Sequence, residues 1–416
     1  MIKQKYVVLK NGLVVVFCKN DELHSFNAGL YIKYGSAINR FYSNNVDYKC
    51  KDGIAHLLEH VLIDNSPYGN LFKHFTDKYY SLRGTTYKEY TKFFIHGYED
   101  FEESLEELIR AINDSQFTKE GIEKSRGPVL EEVREKKNQR GYEYHEHLIH
   151  SLFKDDVFMS GTGEYDDVKD FSYDDLRLIY NTFYKPSNEV LVVDGNFDMD
   201  KILKVIEKTF DSIDRTYNTH EVIPYYDDFI PSKDVDVYED KKNLSCVGLN
   251  FKIPMNDFTI EEKDRLNTYL NWFLKFNFSK RSEFYRNLIK DKISNYSVSP
   301  SYSYYPYGLD YLMLSFDLYT DNVDEFVNRV KTKLTDLTMP DKKSKDLYKK
   351  KYYFGTLLDL EDSYFIANSF AINYLYTGKY EFPSLDDLDK ISFKEMEKLL
   401  NKLDFSTYSV VYRKND

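Results

Sequence analysis

A chain of 416 residues is about twice the usual domain size, so two or more domains are expected, each with its own core. With 69 acidic against 57 basic side chains the net charge is -12, and lysine and arginine are not gathered into patches, which excludes nucleic acid as the expected partner. No stretch approaches the roughly 18 consecutive apolar residues of a membrane span, the N-terminus lacks a signal peptide's plan, and Cys18, Cys50 and Cys246 are too scattered for a disulfide framework, so the sequence predicts a soluble, cytoplasmic protein.

In chain order, Tyr6 to Leu9, Asn11-Gly12 and Leu13 to Phe17 read as two strands joined by a tight turn. The pentapeptide His56-Leu57-Leu58-Glu59-His60 follows. A helix over 54–63 puts His56 and His60 one above the other on one face, where both imidazoles can reach a single zinc ion. Glu59 lies beside that face, placed to take a proton from a water whose pKa zinc lowers to about 7. The order is the inverted H-x-x-E-H form. The same residues also suit an amphipathic core helix with Ile54, Leu57, Leu58, Val61 and Leu62 inward.

Zinc needs a third protein ligand and an open position. Gly127 to Glu135 reads as a helix with Pro128 in its first turn, carrying Glu131, Glu132 and Glu135, although a glutamate-rich helix also describes a solvated face. His145, His147 and His150 suit either a surface metal or an exposed helix. Val168, Phe171, Leu176, Ile179, Tyr180 and Phe183 then form an apolar stripe capped by Ser172, ahead of a strand over Val190 to Val193. The pattern returns 220 residues later around Ser392, with Leu388, Ile391, Met396, Leu399, Leu400 and Leu403, ahead of Tyr408 to Tyr412. The fold class expected is therefore α+β: two homologous domains, each a mostly antiparallel sheet covered by helices. The boundaries expected are 1–217 and 234–416, with 218–233, containing Pro224 and Pro231, as linker.

These motifs resemble those of the inverzincin metallopeptidases, the family that includes pitrilysin, insulysin and the mitochondrial processing peptidase. Arg126-Gly127-Pro128-Val129-Leu130-Glu131-Glu132 is similar to the family's second metal segment, and Glu132, 72 residues after His60, falls where the family places its glutamate ligand. Asp52-Gly53-Ile54-Ala55, Ser160-Gly161-Thr162-Gly163, and Tyr184-Lys185-Pro186-Ser187-Asn188 leading into Leu191 to Asn196 match in the family's order, so the resemblance covers at least residues 10 to 210. It implies one zinc per chain on His56, His60 and Glu132, with Glu59 as general base of a peptide hydrolase. It also implies that Asp264 to Phe276 is the second domain's counterpart of the histidine helix, without a histidine.

The chain departs from the family at three places. Where the family presents substrate along an edge strand bearing N-A-x-T, this sequence has Arg83-Gly84-Thr85-Thr86. Gly84 and Thr86 are expected to pair with an extended peptide, and Arg83 either holds a substrate carbonyl or carboxylate or points to solvent. Ser125 stands where the family has a second glutamate, seven residues before Glu132. In the second domain the family's arginine position holds Ile289, with Tyr296 at the tyrosine seven residues on. Some bacterial members divide these tasks between two chains, and this one resembles the zinc-bearing partner. The resemblance thus implies a heterodimer whose homologous partner chain supplies the arginine and tyrosine. The alternative is a non-catalytic assembly or peptide-binding subunit, favoured by Ser125, Arg83 and Ile289 and opposed by the intact H-x-x-E-H with Glu132.

Overall fold

The computed structural model describes residues 2–139, 141–153, 161–223, 230–305, 310–336, 339–388 and 391–415. Its strands are β1 (Lys3–Val8), β2 (Val14–Lys19), β3 (Phe26–Ile32), β4 (Arg40–Ser43), β5 (Val46–Lys49), β6 (Ser81–Thr86), β7 (Thr91–Gly97), β8 (Glu189–Gly195), β9 (His220–Val222), β10 (Val235–Glu239), β11 (Cys246–Pro254), β12 (Ser299–Tyr305), β13 (Tyr311–Leu318) and β14 (Tyr408–Lys414). The first sheet runs β1-β2-β8-β3-β7-β6 and the second β10-β14-β11-β13-β12; β5-β4-β9 form a small third sheet. In each large sheet one pair is parallel, β2 with β8 and β10 with β14, and the others are antiparallel.

The two large sheets repeat one topology. Removing β1 leaves β2-β8-β3-β7-β6, which β10-β14-β11-β13-β12 reproduces strand for strand. The helices Tyr173–Phe183 and Phe393–Asn401 precede β8 and β14, each capped by the expected serine, Ser172 or Ser392. The counterpart of the histidine helix is Ile260–Phe278, and it contains no histidine. It starts before the expected Asp264 because Thr259 and Glu262 close a capping box.

Contacts divide the chain into two compact units: Met1–Asn138 with Phe158–Ile223 and Thr356–Ser384, and Gln139–Val157 with Pro224–Gly355 and Leu385–Asp416. The changeover after Ile223 falls inside the expected linker, although that stretch also supplies β9. The packing units differ from the contiguous halves expected from the sequence, because each takes a helix from the other half. In the first unit, Val14, Val16, Tyr31, Val190 and Val192 turn to one face of the sheet, and Ile366, Ala367, Phe370, Ala371 and Leu375 of the helix Ser363–Thr377 cover it. In the second, the helix Tyr142–Leu152 lies against β10, β11 and β14. An apolar sheet face must be covered, and a helix stripe carries no mark of which sheet it will cover.

The opposite face of the first sheet holds Glu189, buried at the start of β8 with Asn113 beside its carboxyl. Burial pushes its pKa up to about 8. An unfolded glutamate titrates near 4.3, so between that value and about 8 only the folded state binds the proton, and stability falls as pH rises through this window. Glu189→Gln, which stays neutral, should raise stability at pH 8 by about 4–5 kcal/mol and change it little at pH 4, read from urea midpoints. Equal effects at the two pH values would refute this account.

Candidate metal centre

The histidine helix, Ile54–Asp64, begins at Gly53, whose φ of +93° suits glycine and whose missing side chain leaves room for another loop. A Cβ there would lie 2.6 Å from Gly163 Cα. Asp52 ties the two segments together, accepting from the backbone N–H of Gly53 at 2.9 Å and of Gly161 at 3.1 Å. Two motifs far apart in sequence therefore meet to start this helix; Ser160 lies outside the described residues. Leu57, Leu58, Val61 and Leu62 are fully buried. Thus the leucines take the core-facing side of the helix, and His56 and His60 stand on another face.

The glutamate helix is longer than expected, Lys119–Lys137, capped by Thr118. Pro128 lies in its interior and not in the first turn, because the Thr118 cap and the buried Ile122 and Ser125 extend the helix toward the N-terminus. Proline has no N–H, so one intrahelical hydrogen bond is missing there. This helix packs on the histidine helix and delivers Glu132 to the imidazoles: Oε2 is 3.4 Å from His56 Nε2 and 3.6 Å from His60 Nε2. Two donors each 2.0–2.1 Å from a tetrahedral zinc stand about 3.3 Å apart, so the set fits the ion. Among the described residues this is the one cluster of three or more ligand side chains, its ligand atoms all within 4.8 Å of one another. Burial, aided by the charge of His60, lowers the pKa of His56 to about 4. Burial also acts to lower that of His60, but the hydrogen bond and charge of Glu132, with Glu59 and Asp64, outweigh it and leave it raised.

Ser125 does not leave this centre unsupported. Its buried hydroxyl donates to Asp64 Oδ2 at 2.9 Å and accepts from Asn65 Nδ2 at 3.1 Å, while Asn70 donates to Asp64 Oδ1 at 2.8 Å. Asp64 follows His60 by four residues on the same helix, so a carboxylate facing His60 comes from the histidine helix itself. Sequence reasoning missed this, although the i,i+4 spacing was its signal. The other imidazole is less supported: among the described residues, the buried Nδ1 of His56 has no hydrogen-bond partner.

Glu59 is buried between the helix and β6. Thr86 Oγ1 donates to Glu59 Oε2 at 2.6 Å. Burial raises the pKa of Glu59, and the Thr86 hydrogen bond opposes that rise. A Cβ on Gly84 would lie 2.5 Å from Glu59 Oε1 and 2.6 Å from Ile63 Cδ1, so a side chain there would press on both. Of the two residues expected to pair with an extended peptide, Thr86 bonds the Glu59 carboxylate and Gly84 leaves it room. They sit on the outermost strand of the sheet, paired on one side with Phe93 and Thr91. Arg83 is exposed and, by strand alternation, on the face opposite Glu59. Tyr296 belongs to the second unit, exposed and edge-on to Tyr319, and Ile289 ends the helix Glu283–Lys290. The three clustered histidines diverge: His147 Nδ1 pairs with Asp236 at 2.7 Å, and His150 faces Glu146 at 3.6 Å.

Zinc affinity, measured by competition with a chromophoric chelator, should be lost in His60→Ala, weakened about tenfold in Asp64→Asn and kept in Gly84→Ala. Unchanged affinity in Asp64→Asn would remove Asp64 from the site.

Residues 14–160 match the family model described as Insulinase (Peptidase family M16), and residues 170–351 the model described as Peptidase M16 inactive domain. A Bacillus subtilis relative named uncharacterized zinc protease YmfH is 24% identical over 403 residues, 95% of this chain and 92% of its own. The fold is similar to that of an M16-like peptidase from Alicyclobacillus acidocaldarius, with a TM-score of 0.85 at 20% identity, covering 99% and 98% of the two chains. A Pseudomonas fluorescens structure described as a peptidase M16 inactive domain has a TM-score of 0.75 at 12% identity, covering 99% and 97%. No helix among the described residues is long and apolar enough to cross a membrane.

Proposed function

This chain belongs to the insulinase family of peptidases, peptidase family M16, and on that premise we propose that it is a zinc endopeptidase cleaving short or unfolded peptides. The observation that carries the proposal is the convergence of His56, His60 and Glu132 beside a buried, hydrogen-bonded Glu59. His56, His60 and Glu132 would hold one zinc. When bound there, zinc lowers the pKa of a water toward neutrality and polarises a peptide carbonyl.

The chain's own groups do the rest. Glu59 takes the proton from the attacking water and returns it to the leaving amine. Thr86 holds one carboxylate oxygen, and the other lies beside Gly84, where no side chain competes for the space. An extended peptide adds as a strand to the open side of β6, bringing its backbone to Gly84 and Thr86. This mode of binding needs a substrate free of its own tertiary structure, hence the restriction to short or unfolded peptides.

The active assembly in this reading is a heterodimer, with a homologous chain supplying an arginine and a tyrosine; Ile289 at the arginine position supports it. The three cysteines, all free, support a cytoplasmic setting. The second reading, a non-catalytic assembly or peptide-binding subunit, draws on Ile289 and on Nδ1 of His56, which has no hydrogen-bond partner among the described residues.

Glu59→Gln should abolish hydrolysis of a quenched fluorogenic peptide while zinc content stays at about one per chain. Gly84→Ala, which crowds the carboxylate, should keep zinc and lose about a hundredfold in kcat/KM. Full turnover by the Glu59 variant would defeat this mechanism and favour the second reading. The heterodimer predicts that adding the partner chain raises turnover; a rate indifferent to it would remove the partner from the proposal.

A further inference from the structure

We propose that Arg83 makes this site selective for peptides carrying aspartate or glutamate at the substrate position that pairs with it. The inference rests on the reading above for where the peptide lies, on the open side of β6.

Along β6 the side chains alternate. Gly84 and Thr86 face Glu59, so Ser81, Arg83 and Thr85 share the other face. The β7 residues paired with those three are His96, Phe94 and Lys92, and each is engaged within the protein. His96 Nδ1 lies 2.7 Å from Asn27 Oδ1. The Phe94 ring packs on Tyr364 with centroids 5.0 Å apart. The Lys92 amine sits among the rings of Tyr31, Phe94 and Tyr364, 4.8, 5.1 and 5.1 Å from their centroids. It also donates to Tyr364 and, at 3.2 Å, to Asn368 Oδ1. Thr85 is turned back on the Gly84 carbonyl at 2.7 Å. Arg83 alone of these charged groups is exposed and uncommitted, with no hydrogen bond or ion pair among the described residues.

A peptide strand added to β6 alternates in the same way. The residue pairing with Arg83 places its Cβ about 5 Å from that of Arg83 on the shared face. It is the neighbour of a residue turned toward Glu59, so recognition there sets the register of the scissile bond. A carboxylate accepts two parallel N–H bonds from a guanidinium. A lysine there would meet Arg83 with Lys92 on the adjacent strand. The whole-chain charge of -12 does not reverse this preference, because charges beyond about 8–10 Å are screened.

The test uses the full-length, zinc-loaded Glu59→Gln chain, which binds without cleaving, and fluorescent decapeptides in which glutamate, glutamine or lysine is moved along an otherwise constant sequence. By anisotropy, one position should show about fivefold tighter binding of the glutamate than of the glutamine peptide, weakening with salt. Adding Arg83→Gln should erase the preference, and Arg83→Glu should invert it in favour of lysine. A preference that survives Arg83→Glu, binding indifferent to charge at every position, or no peptide binding at all would overturn the proposal. Charge-selective binding without hydrolysis by the wild-type chain would sink the peptidase reading and leave this one standing; hydrolysis without charge selectivity would do the reverse.

Discussion

The close approach of the histidine helix to strand β6 at Gly84 is the constraint on which the site depends. A side chain there would press on the Glu59 carboxylate and the tip of Ile63, so glycine leaves Glu59 its place between the two elements. That burial removes the carboxylate from water, raises its pKa and puts it within reach of the Thr86 hydroxyl. It also sets Glu59 beside β6, the outermost strand of the first sheet. Glu59, the strand edge, His56, His60 and Glu132 therefore stand in fixed relation to one another.

The two sheets show how one topology accommodates different chemistry. Strand order, parallel pair and serine-capped helix recur, yet the second copy of the metal helix buries Trp272, Phe273 and Leu274 and has no histidine. A helix laid on a sheet needs only its apolar stripe to fold, which leaves the other face free to carry ligands or not. The histidine helix uses that freedom: its leucines fill the core while His56 and His60 stand on another face. Asp64 and Ser125 reflect the same economy, since a carboxylate beside His60 is supplied from the histidine helix where the family's second glutamate is absent.

Much of this was legible in local sequence. The hairpin around Gly12, the caps at Ser172 and Ser392, the i,i+4 histidines and the repeat over 220 residues all rest on periodicity or capping, which act within a few residues. Glu132 was legible only through family resemblance, because a helix with Glu131, Glu132 and Glu135 does not say which carboxylate faces inward. Pro128 misled the placement of that helix's start, since proline's preference for a first turn is weaker than the Thr118 cap and the packing of Ile122. The exchange of helices between the two units was not legible at all.

The sequence by itself determined the α+β repeat, the metal-ligand spacing on one helix and the absence of that motif from the second copy, because each follows from contacts between near neighbours. Tertiary structure alone decided that Glu132 reaches the histidines, that Thr86 and Gly84 hold Glu59, that Asp64 is backed by Ser125, and that Ser363–Thr377 covers the first sheet. These pairings join residues separated by tens to hundreds of positions, and what selects them is the packing of whole elements, to which no short window of sequence has access.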